Sequence, residues 1–144
     1  MSTDELEGEP LEARHVLSIL AVEDLQQAVA WYRAAFGFPV RVDTPAYVEL
    51  ALPDGRGIGL YRREGFGKNT GQVPMAVPAG EIVGTELYFH VSNLEAAVTR
   101  LTEAGGRLLS AAAPRDWGDE AAYFADPDGN VIVVAKPLPT TDSA

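Results

Sequence analysis

The chain has 144 residues, a net charge of −10 and 47% hydrophobic residues, enough apolar material for a packed core in one domain or in two small, closely packed halves. Its acidity excludes a nucleic-acid partner, because phosphates call for a basic patch. It has no cysteine, which excludes disulfides and thiolate zinc sites, and no run of about 18 apolar residues that spans a membrane as a helix.

Residues 1–13 are polar and acidic and are expected to form a loose tail. They lack the basic-then-apolar order of a signal peptide, so a cytoplasmic location is expected. His15 to Val22 is apolar and rich in β-formers, which marks a buried strand. Asp24 then offers a helix cap, with Gln27 three residues on. Leu25, Ala28, Val29, Tyr32, Ala35 and Phe36 recur on one helical face, and Gly37 stops the helix in the manner of a left-handed cap. Strands are expected at Phe38–Val42, Tyr47–Leu52 and Gly57–Arg62, the last two joined by the tight turn Pro53-Asp54-Gly55. Residues 64–80 carry Gly and Pro at close spacing and read as a loop or arm. The same order follows again. A strand lies within Glu81–Val91. A helix starts at Ser92–Glu95, buries Leu94, Ala97, Val98, Leu101 and Ala104, and stops at Gly105-Gly106. Strands are then expected at Arg107–Ala111, Ala121–Ala125 and Val131–Lys136, with a loop around Trp117 and the turn Asp126-Pro127-Asp128-Gly129-Asn130. Residues 138–144 read as a second loose tail.

The chain is therefore an internal duplication. Val22, Leu25, Ala28, Val29, Ala35 and Gly37 recur 69 residues later as Val91, Leu94, Ala97, Val98, Ala104 and Gly106. The two Pro-Asp-Gly turns stand 74 apart, so the second copy holds about five extra residues, assigned to the loop around Trp117. The expected architecture is α+β: a βαβββ module over 14–63, an arm over 64–80 and a second βαβββ module over 81–137.

The helix VEDLQQAVAWYRAAFGF and the hairpin YFADPDGNVIVV, set in two tandem βαβββ units, resemble the vicinal oxygen chelate superfamily, which holds glyoxalase I, extradiol dioxygenases and the bleomycin resistance proteins. The resemblance covers roughly residues 14–137. It implies paired modules curled into a half-open barrel around a cavity, and a homodimer. It also implies where metal ligands stand in the metalloenzymes of the group, on the inward faces of the first and last strand of each module. Those positions fall here on Leu17, Gly59, Glu86 and Val133. One carboxylate does not hold a catalytic divalent metal, which takes at least three His or carboxylate donors. The chain thus looks like the metal-free branch, and no cofactor is expected.

With these positions inward, strand alternation places His15, Ile19, Ala21, Tyr61, Arg63, Tyr88, His90, Val131 and Ala135 on the cavity wall, and Leu20, Val22, Ile58, Leu60, Leu87, Phe89, Ile132 and Val134 against the helices. The expected ligand-binding set is Tyr61, Arg63, Glu86, Tyr88, His90 and Trp117, a mixed lining suited to a small aromatic, amphipathic or cationic molecule. The leading expectation is sequestration of such a ligand without turnover. A rival is an enzyme of the lyase, isomerase or dioxygenase type that pairs Glu86 with His90 as acid and base, and an improvised metal site of His15, His90 and Glu86 is a weaker candidate. A third is a partner-binding module with a vestigial cavity. The plainer reading of the same residues has Glu86 paired with Arg63 or Arg62. Trp31 and Tyr32 read as packing residues on the helix. Asp126 and Asp128 read as turn formers without the ligand alternation of a calcium loop. Gly65-Phe66-Gly67 lacks the strand-to-helix setting of a phosphate loop.

Overall fold

A computed structural model describes residues 8–140; the ends of both expected tails lie outside this range. Two modules follow one another. The first comprises β1 (Leu17–Val22), α1 (Leu25–Phe36), β2 (Val40–Asp43), β3 (Tyr47–Ala51) and β4 (Gly57–Arg62). A helix, α2 (Arg63–Thr70), leads into an extended arm. The second module comprises β5 (Glu86–His90), α3 (Leu94–Glu103), β6 (Arg107–Pro114), β7 (Asp119–Ala125) and β8 (Val131–Pro137). Each module is one four-stranded sheet, ordered β1-β4-β3-β2 and β5-β8-β7-β6. First and last strands run parallel, and the hairpins are antiparallel.

Local chemistry explains the helix boundaries. The Asp24 carboxylate accepts the amide of Gln27 at 3.0 Å, and Asn93 accepts that of Ala96 at the same distance; such caps are each worth about 1 kcal/mol. Gly37 closes α1 at φ 73°, a left-handed conformation that costs other residues strain. The helix α3 is followed by Gly105 at φ 92°.

The two modules share one core. Leu20, Val22, Ile58 and Leu60 from the first sheet meet Ala28, Trp31, Tyr32 and Ala35 of α1, and the same cluster takes in Leu94, Leu101, Phe124, Ile132 and Val134 of the second module. Phe36 and Phe38 stack at 5.0 Å, and Phe36 meets Phe89 at 4.6 Å, joining the modules. α1 packs against α3, so the helices lie between the sheets and the other face of each sheet points away from the shared core. The alternation read from the sequence therefore holds. Both repeat shifts also hold in the pairing: Leu17 faces Gly57 as Glu86 faces Val131, and Tyr47 faces Tyr61 as Ala121 faces Ala135.

Three features differ from the sequence reading. Residues 63–70 form a helix where an arm is expected to begin, even though glycine is a poor helix former. Tertiary packing supplies the stability: the Tyr61 ring lies against Gly65, and Val73 lies against Gly67, each where a Cβ would clash. β1 starts at Leu17 rather than His15. The five extra residues of the second copy lengthen the hairpin β6–β7, leaving Arg115–Gly118 as its turn.

Candidate functional site

The open face of the second sheet carries a second, smaller core. Val131, Val133, Ala135 and Ala121 are buried there, with Leu109 and Tyr123 packed on them. Arg115 lies over the Tyr123 ring at 5.0 Å and spends its N–H groups on the Ala121 and Ala111 carbonyls and on Ser110. Val131, Val133 and Ala135, expected on a cavity wall, are thus core residues. Arg115 comes from the turn of the longer β6–β7 hairpin.

At the rim of this face, where β5 and β8 end and β7 begins, four side chains meet. Tyr88 donates its hydroxyl to Asp119 Oδ2 at 2.6 Å, His90 Nε2 lies 2.9 Å from the same oxygen, and Trp117 donates its indole N–H to the Tyr88 oxygen at 2.8 Å. Asp119 is 8% exposed and is the hub. The hydrogen bond from Tyr88, helped by that from His90, holds its carboxyl below the usual carboxylate range, so at neutral pH it is an acceptor only. His90 Nε2 is therefore the donor to it, and Nδ1 has no part in this bond. Burial, with the bond to Asp119, pushes the Tyr88 phenol up, which keeps it neutral. Trp117 is 58% exposed and Tyr88 38%, so both offer ring faces to solvent while their polar hydrogens are already spent.

Three of the six expected ligand residues, Tyr88, His90 and Trp117, come together here. The others do not join them among the described residues. Glu86 sits at the opposite end of β5, four residues from His90 and so roughly 13 Å along the strand, paired with Val131; it is not the partner of His90, and Asp119 takes that place. Arg63 turns away with α2 to bind Glu23 at 3.1 Å and, across the modules, Asp128 at 3.3 Å, so the expected Arg63–Glu86 pair is not made. Tyr61 meets Tyr47 edge to face at 5.2 Å. His15 approaches Ser18 at 3.2 Å and does not reach His90 or Glu86. Among the described residues no three His, Asp or Glu side chains are grouped to hold a metal. The positions implied for metal ligands do not fit a divalent cation either: Val133 is wholly buried, and the phenol of Tyr47 lies over Gly59.

Asp119 is the residue that the sequence reading missed. The signal available was the five-residue surplus of the second copy, which places an acidic side chain just after Trp117 and at the start of a strand. A wide groove lies elsewhere, between α1 and the β2–β3 turn, and is lined by Leu25, Val29, Arg33, Asp43, Val48 and Arg62 among others. No residue of the expected ligand set lines it.

Residues 13–134 match the family model of the Glyoxalase/Bleomycin resistance protein/Dioxygenase superfamily. No curated protein matches the sequence. Among solved structures, a glyoxalase-related enzyme from Fulvimarina pelagi is similar with a TM-score of 0.76 at 21% identity, covering 93% of this chain and 96% of that one. TioX from Micromonospora sp. ML1 gives 0.64 at 22%, covering 88% and 100%. A lactoylglutathione lyase from Agrobacterium tumefaciens gives 0.66 at 20%, covering 88% and 95%. At such identities the likeness speaks to the fold alone.

Proposed function

Because the chain belongs to the Glyoxalase/Bleomycin resistance protein/Dioxygenase superfamily, we propose that it is a metal-independent protein that binds and sequesters a small aromatic cation at the rim of its second module. The observation that carries this reading is the state of the rim's hydrogen bonds. Tyr88 has given its hydroxyl proton to Asp119, and Trp117 its indole N–H to the Tyr88 oxygen, which leaves ring faces, the outer edge of the His90 ring and a nearby ionised carboxylate. Such a surface suits a flat ligand that brings its own N–H groups or positive charge, through stacking and cation–π attraction. The Tyr88 and Trp117 donors, being already engaged, are not free for a developing oxyanion, which most acyl and enol chemistry requires. The net charge of −10 favours the encounter.

Titration with aromatic amines that lack an indole, such as benzylamine, followed by indole fluorescence, tests this. Trp117 is exposed and Trp31 buried, so saturable quenching is expected that vanishes in Trp117→Phe. Lack of saturable binding across cationic, neutral and anionic aromatics rules the reading out, and stoichiometric divalent metal in the purified protein overturns its metal independence.

One observation favours a second reading. The Asp119–His90 pair is oriented as in an acid–base dyad, and a ligand with an acidic proton near Nδ1 turns the binder into a metal-free enzyme. Chemical change of a bound ligand, lost in both His90→Ala and Asp119→Asn, decides for it. The proposal also includes a second copy of the chain: β1 and β5 each leave one edge unpaired, and Ile19 and Tyr88 stand exposed on them. Light scattering that reports a monomer removes this part.

A further inference from the structure

The open face of the first sheet is closed by a different device. Two of its β4 residues, Gly57 and Gly59, have no side chain, and both are buried. Tyr47, on β3, lies across Gly59, so close that a Cβ at that position comes 2.6 Å from the phenol oxygen and 2.7 Å from Cε1 of the ring. The phenol donates to Glu49 Oε1 at 2.5 Å, and the other oxygen of Glu49 takes Arg41 Nε at 2.7 Å. Arg41 in turn donates to the Gly55 carbonyl at 2.9 Å and lies over Gly57. Burial first, then the bond to Glu49, pushes the Tyr47 phenol well up, so it remains the donor. Tyr61 packs edge-on against the same ring. In the second module the equivalent positions are reversed in size: Val131 and Val133 stand for Gly57 and Gly59, and Ala121 and Ala135 for Tyr47 and Tyr61.

We infer that Tyr47 is a built-in occupant: its phenol, fixed by Glu49 and Arg41, fills the first module's ligand position over Gly59 and shuts it to metal donors and to organic ligands alike. A side chain at position 59 and the Tyr47 ring need the same space, so no ligating residue can be placed there while Tyr47 remains. The vacated space has the shape of a phenol, with a carboxylate acceptor already held in place by a guanidinium. Removing the ring therefore creates a site for small phenols. Tyr47 fills this place whether or not the second module's rim binds a ligand.

The test is a thermal-melting cycle. Gly59→Ala is made in the wild type and in Tyr47→Val, which keeps a strand former but clears the space; Tyr47→Ser is made in parallel, so that poor folding of one variant leaves the other to decide. Gly59→Ala is expected to lower the melting temperature by several degrees beside Tyr47, and to change it little or raise it once the ring is gone. p-Cresol is expected to raise the melting temperature of the cleared variants saturably and to leave the wild type unmoved. An equal cost of Gly59→Ala in both backgrounds, or equal stabilisation of wild type and variant by p-cresol, overturns the inference. Neither readout involves the rim ligand, so failure here leaves the proposed function standing, and loss of the proposed function leaves this result intact.

Discussion

The two Pro-Asp-Gly turns share a sequence and a conformation but not a role. At the first, Gly55 takes φ 90°, Asp54 accepts the amide of Arg56, and an exposed pair with Arg56 at 3.4 Å completes it. At the second, Gly129 takes φ 86°, yet most of the turn is buried. Asp126 is 6% exposed and accepts the amides of Asp128 and Asn130 at 2.9 Å, the Asn130 side chain at 3.0 Å, and the hydroxyl of Tyr32 from the other module. Asp128 accepts the Glu23 amide and Arg63. One turn closes a hairpin; the other clasps two modules together. Turn chemistry alone predicts the backbone of both and the function of neither, because the difference lies in what each turn is pressed against.

Substitutions that treat the turns alike measure how unequal they are. The largest effect is expected from Asp126→Ala, which strands a buried phenol and several amides and should cost about 3 kcal/mol or more; urea unfolding reads it, and a cost below that of the exposed turn's variant removes the clasp. Tyr32→Phe keeps the ring and deletes one bond to a buried carboxylate, for a loss of about 2 kcal/mol, measurable by the same method, with no change in secondary structure by circular dichroism. Asp128 gives a pH signature. Burial, above all, holds its carboxyl higher than the ordinary value. A raised folded pKa means that its contribution is greatest below the unfolded value, near 3.9, and is lost as pH rises through the folded one. Asp128→Asn lacks that loss, so its stability relative to wild type should improve between pH 3 and pH 7; a constant or widening deficit contradicts the shift. Asp54→Ala, in the exposed turn, should move stability by no more than about 0.5 kcal/mol, and a larger change would make the two turns equals.

Periodicity carried the fold. The alternation of Leu20, Val22, Leu60, Ile132 and Val134 placed the helix-facing side of both sheets correctly, and the spacing of identical residues at 69 and 74 gave the strand equivalences. Physical reasons explain what stayed hidden. α2 is Gly-rich, and its stability comes from Tyr61 and Val73 packing on glycines rather than from local propensity. The site was half legible. Strand alternation put Tyr88 and His90 on one face, but the partner of His90 lies 29 residues away on a hairpin whose extra length had no template in the first copy. Arg63 looked like a continuation of β4's alternation, and the helix that starts there carries it to the module boundary instead. Asp126 was visible as a turn former; its bond to Tyr32 depends on how α1 sits against the second module, which no local pattern encodes.

That bond has a consequence for the order in which the protein is made. Tyr32 leaves the ribosome 94 residues before Asp126, and each parallel pair, β1 with β4 and β5 with β8, must wait for the last strand of its own module. The nascent first module can complete its sheet at about residue 62 while α1 still shows solvent the side that α3 will cover. A helix surface in that condition is a target for chaperones and for other nascent copies. Ribosome-bound chains halted between the two modules should therefore be more protease-sensitive along α1 than along β4, and that sensitivity should end only when the second turn has emerged and closed on Tyr32.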